Sequence, residues 1–425
     1  MISFIDLFSG TGGIRIGLEN ALKKFSIESR CVFSSEINKE ACKTYSLNFE
    51  KQEPSDIHFL DTENGAKLPF FDILLAGFPC QAFSYAGKRM GFDDTRGTLF
   101  FEVARIAKEH KPKILFLENV RGLTTHDGGR TFKTISNTLN ELGYKVKWRI
   151  INSSEMGIPQ NRFRLYGIAV YGVKDFNLTI PDLLGSKDSH SLTDRSFISH
   201  RYIKDILEDN PPLKYDCSDT FRRQLENYFD GDLSKIANYR CIDSRNGKSI
   251  HSWDLDLKGS TTHTERSLLN QIVANRRKHI FGTQQDGKAL SLEQIQSFYN
   301  VPNLPNLLEN LVKKGYLRVD PGDRYNLSTG NMSFEIFKFL DPDSISITLT
   351  SSDCNRLGVY HKGRLRHLTP RECARIQGYP DSYILNPNDS ESYKQIGNAV
   401  SVPVIQKLLE NFLINNPEFI AQFKQ

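Results

Sequence analysis

The first 170 residues alternate short apolar runs with amphipathic helical patterns, and this alternation restricts the fold more than any other feature of the sequence. The apolar runs, each of a length typical of a buried strand, are residues 2–8, 31–36, 71–78 and 113–120. Between them, one helical face carries Leu99, Val103, Ile106 and Ala107, and another carries Phe132, Ile135, Leu139 and Leu142. Strands that alternate with helices predict an α/β fold with a doubly wound, mostly parallel sheet. Such sheets place their ligands at the carboxyl ends of strands.

The regular alternation stops after residue 170, which predicts a catalytic or ligand-binding domain at 1–170 and a second, smaller domain at 171–355. Asn246-Gly247, between two strand-like runs, predicts a hairpin. Residues 264–330 contain three helical patterns followed by a hairpin with a Pro-Gly turn, an order typical of a winged helix. The alternative is a small helical insertion that only packs on the main domain. Apolar patterning returns at 356–425, which predicts a C-terminal segment that closes back onto the first domain.

Composition and charge exclude several classes of protein. The net charge of +5 permits a polyanionic partner without demonstrating one. The seven cysteines form no C-x-x-C pair, which argues against a disulfide scaffold or a zinc ribbon, so no metal site is predicted. The N-terminus lacks a signal peptide, and no apolar run approaches the length of a membrane span. We therefore expect a soluble, cytoplasmic protein with no membrane partner.

A glycine-rich run, residues 6–13, follows the first predicted strand and opens a helix. Glycines there allow a tight turn and a close approach of the backbone to a ligand. The run lacks the Lys-Ser/Thr pair of a phosphate-binding P-loop. Glu36 ends the next strand, where its carboxylate is placed to accept hydrogen bonds from ribose hydroxyls. The pattern predicts a nucleoside cofactor, and the alternative is a turn whose glycines serve only packing.

Three further groups of polar residues follow strands. Pro79-Cys80-Gln81 comes after the third apolar run, and Glu118 lies at the end of the fourth. A lone cysteine is more often a core residue than a nucleophile, and a carboxyl at a strand end is often only solvated. The loop after Cys80 is rich in glycine and basic residues, which suits movement over an anionic ligand. Strand alternation predicts that Gln160, Arg162 and Arg164 share one face, either as a solvated edge or as a site for an anionic or carbonyl-rich ligand.

Taken together and in order, these segments resemble the cytosine-5 DNA methyltransferases of bacterial restriction-modification systems. The matching segments are the glycine run, Pro79-Cys80-Gln81, Glu118-Asn119-Val120, the Gln-x-Arg-x-Arg at 160–164, and two later stretches at 366–379 and 393–400. The resemblance covers about 1–170 and 355–410. Ser9 stands where alanine is common in the family, and Ile37 stands where some relatives carry an aromatic residue over the adenine, which puts the detail of cofactor stacking in question.

The resemblance implies transfer of a methyl group from S-adenosylmethionine to carbon-5 of a cytosine flipped out of the duplex. Cys80 would attack carbon-6, and Glu118 would contact N3 and the exocyclic amine. Arg164 would hold the carbonyl oxygen at position 2, with Arg162 steadying the site. The cofactor residues carried over in the same way are Phe8, Gly10, Gly12, Glu36, Asp56, Phe78, Asn398 and Val400.

Double-stranded DNA is the partner that the resemblance implies, with a cognate restriction endonuclease acting on the same site and a monomeric enzyme as further expectations. Phosphate contacts supply affinity and base contacts supply sequence choice. Arginine-rich segments lie at 276–278 and 356–375. The residues expected to contact DNA are Ser84, Lys88, Arg89, Arg96, Arg276, Arg277 and Arg366.

Three alternative functions remain compatible with the sequence. A transfer-RNA cytosine-5 methyltransferase would use an almost identical catalytic half, but the large region at 171–350 favours a DNA target-recognition domain. A catalytically silent DNA-binding protein is disfavoured because Cys80, Glu118 and Arg164 are all present. A nicotinamide-dependent dehydrogenase would explain only the glycine turn and leaves Pro79-Cys80-Gln81 without a purpose.

Overall fold

The computed structural model describes residues 1–61, 67–79, 99–180, 202–282, 289–328 and 334–424. These residues form two compact units. The first consists of 1–206, 345–354 and 370–425, and the second of 207–344 and 355–369. The second unit thus begins at residue 207, whereas the sequence predicts a boundary at 171. It also includes a stretch of the segment that the sequence assigns to the returning C-terminus.

The strands of both units are short to medium in length. In chain order they are β1 (Ile2–Leu7), β2 (Ser29–Ser35), β3 (Ile73–Ala76), β4 (Ile114–Val120), β5 (Tyr144–Asn152), β6 (Phe163–Tyr171), β7 (Arg240–Cys241), β8 (Ser249–Ile250), β9 (Leu317–Asp320), β10 (Arg324–Leu327), β11 (Lys338–Leu340), β12 (Leu357–His361) and β13 (Arg364–His367). The four strands expected from the apolar runs are β1 to β4, so that prediction is confirmed.

The helices include the amphipathic segments predicted at 99–107, at 132–142, within 264–330 and at 404–412, together with others that no pattern predicted. In chain order they are α1 (Gly13–Lys24), α2 (Lys39–Asn48), α3 (Leu99–His110), α4 (Arg130–Glu141), α5 (Asp219–Tyr228), α6 (His263–Asn275), α7 (Leu292–Gln296), α8 (Leu304–Lys313), α9 (Pro370–Ile376), α10 (Asp389–Asn398), α11 (Val402–Asn415) and α12 (Pro417–Lys424). None of the helices in the described part of the chain combines the length and the hydrophobicity that crossing a bilayer requires.

The first unit is built on one sheet whose described strands run in the order β2-β1-β3-β4-β6-β5. The four strands from β2 to β4 are mutually parallel, whereas β6 runs antiparallel to both β4 and β5. This arrangement confirms an α/β fold with a mostly parallel sheet. Because β1, β3 and β4 are parallel neighbours, the residues that follow them meet at one edge of the sheet. That edge contains the glycine run, Gly77–Pro79 and Glu118.

Helices cover both faces of this sheet. Apolar residues of α1 and α11 pack on one face together with Phe4, Leu75 and Phe116, and apolar residues of α3 and α4 pack on the other. A side chain at Gly17 of α1 would place its Cβ 2.7 Å from Cβ of Ile405 in α11, so the two helices cross closely there. Each large aliphatic side chain buried in this way contributes about 1.5–3 kcal/mol. The C-terminal helix therefore returns to the first unit, as the sequence predicts.

The second unit contains a mixed sheet in which the described strands follow the order β13-β12-β11-β7-β8. Strands β12 and β13 are antiparallel, and β11 runs parallel to β12. The expected hairpin at Asn246-Gly247 is wrong, because β7 and β8 on either side of it pair in parallel. Gly247, with a φ of 97°, does lie in a turn. A hairpin turn joins only antiparallel strands, so the chain between β7 and β8 takes a longer course.

A helical subdomain follows within the second unit. Helices α6, α7 and α8 come before the antiparallel hairpin of β9 and β10, in the order that the sequence predicts. The side chains of Thr262 and Ser291 each accept a hydrogen bond from the third residue of the helix they precede, which fixes the starts of α6 and α7. Trp253, Leu269 and Leu308 belong to a buried cluster that holds the helices and the hairpin together.

Candidate active site

The glycine run forms a tight loop between β1 and α1. Gly10 and Gly12 have φ angles of 52° and 73°, which L side chains rarely adopt. A Cβ on Gly12 would lie 2.4 Å from Cε2 of Phe49, and one on Gly13 would lie 2.7 Å from Cγ2 of Val400. Phe8, just before the loop, has a φ of 54° although it is not a glycine, a strained conformation of the kind found near ligand sites. The glycines therefore serve both the turn and close packing.

Glu36 ties the end of β2 to this loop. Its Oε2 accepts the backbone N–H of Gly10 at 3.0 Å, and its Oε1 accepts the N–H of Asn38 at 2.8 Å. Each carboxylate oxygen retains a second lone pair, so Glu36 can still accept hydroxyl hydrogen bonds. The neighbouring Ile37 is 67% exposed and leaves its side chain free to cover a ligand.

Asp56 lies beside Glu36 because the backbone N–H of Ser55 donates to the Glu36 carbonyl at 2.8 Å. Its Oδ1 accepts the backbone N–H of His58 at 3.0 Å and is 2.7 Å from Nδ1 of the same histidine. The hydrogen bond from the His58 backbone lowers the pKa of Asp56 and so keeps the carboxylate ionised. An ionised acceptor at this position suits an exocyclic amine.

Two tyrosines from the C-terminal part of the first unit close the glycine loop. The hydroxyl of Tyr379 lies 2.6 Å from Oγ1 of Thr11, and the hydroxyl of Tyr383 donates to the carbonyl oxygen of Thr11 at 2.7 Å. No sequence pattern predicts a role for either tyrosine, although Tyr379 ends one of the matching segments. Asn398, the last residue of α10, is exposed. The glycine loop, the carboxylate acceptors of Glu36 and Asp56, and the exposed side chain of Ile37 together fit the nucleoside portion of S-adenosylmethionine.

The chain just before Cys80 is fixed by the neighbouring strand. The buried Asn119 donates from Nδ2 to the carbonyl oxygen of Phe78 at 2.7 Å. Phe78 is itself buried, with its ring 5.6 Å from that of Phe100. A Cβ on Gly77 would lie 3.7 Å from Oε2 of Glu118, so this turn passes directly beside the carboxyl group. Cys80 itself lies outside the described residues.

Glu118 and Arg164 form a pair in the interior of the first unit. The antiparallel register of β4 and β6 sets Arg164 opposite Val120, and Nε of Arg164 lies 3.4 Å from Oε1 of Glu118. The side chains are only 16% and 11% exposed for the arginine and the glutamate. Burial raises the pKa of Glu118, and the charges of Arg164 and Arg162 only partly offset this effect. Glu118 thus holds its proton to a higher pH than an ordinary glutamate, as a proton donor requires.

Gln160 and Arg162 do not share a strand face with Arg164, because β6 begins only at Phe163. Oε1 of Gln160 instead accepts the backbone N–H of Leu349 at 3.0 Å. The guanidinium of Arg162 donates to the carbonyl oxygens of Leu349 and Ala399, at 2.7 and 2.6 Å. Burial, with Arg164 nearby, lowers the pKa of Arg162 to about 10. These two residues tie later segments of the chain to the site, whereas Arg164 faces Glu118.

Asp6 is a buried carboxyl group that the sequence reasoning left without a role. It lies near the end of β1, and neither of its oxygens has a hydrogen-bond partner among the described residues. Burial raises its pKa to about 8, which Arg15 only partly counteracts. Asp6 is the first residue of the glycine-rich run at 6–13, but an aspartate in a strand signals no burial by itself.

Two of the expected DNA contacts are wrong for a physical reason. Arg276 and Arg366 are only 3% and 2% exposed, so their guanidinium groups are not on a surface that a phosphate reaches. Arg277 is exposed. The basic run from 356 onward also makes internal ion pairs, Arg364 with Asp216 at 2.7 Å and Lys362 with Asp209 at 3.0 Å. The four expected contacts in the loop after Cys80 lie outside the described residues: Ser84, Lys88, Arg89 and Arg96.

Known proteins resemble this chain over nearly its whole length. The chain is 53% identical over 431 residues to the Type II methyltransferase M.BanI of Aneurinibacillus aneurinilyticus, covering 100% of this chain and 98% of that protein. It is 51% identical over 416 residues to the Type II methyltransferase M.HgiCI of Herpetosiphon aurantiacus, covering 96% and 97%. The solved structure of S. pombe Dnmt2 methyltransferase superposes with a TM-score of 0.53 at 16% identity, covering 97% and 99%, which shows a common fold.

The family model for C-5 cytosine-specific DNA methylases matches residues 2–413. That match spans both compact units, including the region after residue 170 for which the motifs provide no guide. The chain therefore belongs to the C-5 cytosine-specific DNA methylase family.

Proposed function

We propose that this DNA (cytosine-5) methyltransferase methylates cytosine within a specific duplex sequence, with Cys80 as its nucleophile. The observation that supports this most is the buried Glu118–Arg164 pair beside the turn that leads to Cys80. A carboxyl that retains its proton and a fixed guanidinium match the ring nitrogen and the carbonyl oxygen of a cytosine. The acid and the cation lie at the edge of the sheet where the glycine loop lies, beside the turn that precedes Cys80.

Cys80 makes carbon-5 reactive by adding to the ring. Its thiolate forms a bond to carbon-6, and Glu118 donates a proton to N3 as the electron pair moves there, which leaves carbon-5 enamine-like. After carbon-5 has taken the methyl group, its proton passes to solvent, and the electron pair of that C–H bond re-forms the C5–C6 double bond and expels Cys80 as the thiolate. N3 returns its proton to Glu118, which restores the aromatic ring. A free cysteine with a pKa of about 8.5 is only roughly 7% ionised at pH 7.4, so the site must favour the thiolate.

The two arginines act at different distances from the base. Arg164 would hold the carbonyl oxygen at position 2 and orient Glu118. Arg162 is a positioning residue, because its two terminal guanidinium nitrogens donate hydrogen bonds to the carbonyl oxygens of Leu349 and Ala399. Its buried positive charge lowers the pKa of Glu118 less than the charge of Arg164 does.

The cofactor pocket that we propose consists of the glycine loop and the residues around it. S-adenosylmethionine supplies the electrophilic methyl group when it is bound. Glu36 would accept the ribose hydroxyls and Asp56 the adenine amine. The remaining proposed contacts are Phe8, Gly10, Gly12, Phe78, Asn398 and Val400. Exposed Ile37 would cover the adenine, where some relatives carry an aromatic side chain.

The cytosine reaches this site only if it leaves the duplex, which costs a few kcal/mol. The loop after Cys80 and the second unit must offset that cost through DNA contacts. We further propose that the chain is the protective methylase of a restriction-modification system, acts as a monomer, and shares its site with a cognate endonuclease. Its similarity to two Type II methyltransferases supports this proposal.

Bisulfite sequencing of DNA from cells that express the protein tests chemistry and site together. We expect cytosines to be protected within one recurrent sequence, and protection to disappear in cells that express Cys80→Ala. Purified protein should also transfer methyl groups to duplex DNA and not to transfer RNA. Methylation of transfer RNA alone would support the RNA alternative and contradict our proposal.

The helical subdomain of the second unit is our proposed reader of the DNA sequence, in the manner of a winged helix. Its third helix, α8, exposes Asn306 and Asn310, while Leu308 and Leu311 are buried beneath it. Asparagine amides make paired hydrogen bonds to adenine in the major groove. Exposed Arg277, at the end of α6, would contribute a phosphate contact.

We expect the double variant N306A/N310A to methylate its cognate DNA less efficiently by about 30-fold or more, because each of the two amide–base pairs is worth at least about 1 kcal/mol. Both side chains are exposed, so the melting temperature should not change. Asn300→Ala, an exposed asparagine of the same subdomain outside α8, is the matched control. Unchanged efficiency and site preference in N306A/N310A would refute a reading role for α8.

A further inference from the structure

Three residues with metal-binding side chains converge in the second unit, although they are far apart in the sequence. Cys217, Glu335 and His367 place one potential ligand atom each within 4.8 Å of the other two. Cys217 precedes α5, Glu335 precedes β11, and His367 ends β13. From this juxtaposition we propose that the three residues bind one Zn²⁺ ion, which fastens these segments of the second unit to each other.

The donor set selects the type of metal. Thiolate and imidazole are soft or borderline ligands that suit Zn²⁺, whereas Mg²⁺ and Ca²⁺ prefer oxygen alone. Zn²⁺ with one thiolate, one carboxylate and one neutral imidazole is electrically balanced. Three protein ligands leave the fourth tetrahedral position to a water molecule. Because Zn–S and Zn–N bonds are about 2.0–2.3 Å, the ligand atoms of a tetrahedral site lie about 3.5 Å apart, so the three atoms, which already lie within 4.8 Å of one another, need only a small further approach.

Hydrogen bonds around the cluster already orient its members. Nδ1 of His367 lies 3.0 Å from the carbonyl oxygen of Asn355, which can only accept, so Nδ1 carries the proton and Nε2 retains its lone pair. A carbonyl partner of this kind orients metal-binding histidines in general.

The other two ligands are fixed as well. The backbone N–H of Ser218 donates to Oε2 of Glu335 at 3.0 Å, and the Ser218 hydroxyl donates to Oε1. Two of about four lone-pair positions on the carboxylate therefore remain for a metal. The backbone N–H of Cys217 donates to the carbonyl oxygen of Leu365 at 3.1 Å, which holds the buried thiol next to β13. Zn²⁺ replaces the thiol proton on binding, and that proton passes to solvent.

The test uses full-length, untagged protein stripped of metal by a chelator and titrated with Zn²⁺. We expect about one tightly bound Zn²⁺ per chain and a higher melting temperature in its presence. Binding should be weaker by about 100-fold or more in Cys217→Ser and in His367→Gln. The matched controls are His263→Gln, an exposed histidine of the same unit, and Cys31→Ser, a thiol of the other unit; both should bind as the wild type does.

Co²⁺ identifies the ligands directly. The wild-type Co²⁺ complex should show a thiolate-to-metal charge-transfer band that Cys217→Ser lacks, and Glu335→Gln, which retains the Ser218 hydrogen bonds on one oxygen, should bind with intermediate affinity. The inference is overturned if the wild type binds no Zn²⁺, if its Co²⁺ complex lacks a thiolate band, or if folded Cys217→Ser and His367→Gln bind as tightly as the controls. None of these readouts depends on methyl transfer, so they are independent of the proposed function.

Discussion

Cys80→Ala should lose methyl transfer to cognate DNA by on the order of 10⁶-fold, the effect of removing the nucleophile in other covalent enzymes. The reason is chemical, because carbon-5 of cytosine becomes nucleophilic only while carbon-6 is bonded to sulfur. Binding of S-adenosylmethionine should be unchanged, since Cys80 is not among the proposed cofactor contacts. Single-turnover transfer of a radiolabelled methyl group and calorimetric titration with the cofactor measure the two properties separately.

A second, qualitative prediction for Cys80→Ala concerns covalent attachment to DNA. DNA that contains 5-fluorocytosine at the target position should become covalently attached to the wild-type protein, because fluorine cannot leave as a proton does. Cys80→Ala should form no such adduct on a denaturing gel. The control is Cys42→Ala, which removes a buried thiol of α2 in the same unit and should retain both activity and trapping. Near-normal methylation by Cys80→Ala would require a different nucleophile.

Much of the fold was predictable because hydrophobic periodicity reports local structure. The apolar runs became β1 to β4, and the periodic residues 404–412 became the helix α11 that packs on the sheet. The strand pairing at Asn246-Gly247 was not predictable in the same way. The turn residues are compatible with a hairpin, but which strands pair is decided by neighbours such as β11, which pairs with β7.

Burial explains why several residues of the site could not be predicted from the sequence, or were predicted on the surface. Arg366 belongs to a run of basic residues that looks like a phosphate-binding surface, yet its side chain is buried. Asp6, Tyr379 and the Asn119 contact with Phe78 depend on segments brought together only by the fold. The Cys217 cluster shows the same principle, since metal motifs are recognised by local spacing and its members are separated by more than one element.

The most informative test of the acid is Glu118→Gln, which should reduce methyl transfer by about 10²–10⁴-fold, the range for loss of a positioned proton donor. Glutamine retains the shape and one hydrogen-bond donor but has no proton to give to N3. The wild-type pH–rate profile should contain an ionisation that is absent in the variant. Glu155→Gln is the matched control, because burial also raises the pKa of Glu155 and it lies outside the proposed chemistry.

Stability should change in the opposite sense to activity. Because burial raises the pKa of Glu118, the folded state binds its proton more tightly than the unfolded chain does. The resulting stabilisation is complete at pH values below the unfolded pKa and is lost as the pH rises through the folded pKa. Glutamine is neutral at every pH, so Glu118→Gln should match the wild type in acid and become relatively more stable as the pH increases. Chemical denaturation at several pH values measures this difference.

Activity, pH–rate profile and stability of Glu118→Gln, measured together, distinguish a catalytic role of Glu118 from a structural one. If Glu118 only supported Arg164 and the turn at Gly77, its replacement would lower stability and activity together, and the pH–rate profile would keep its shape. If Glu118 donates the proton, activity falls while the free energy of unfolding is maintained or rises, and one ionisation disappears. Glu118→Gln with wild-type activity would remove the carboxyl from the mechanism, and protonation of N3 would then have to come from a group other than this one.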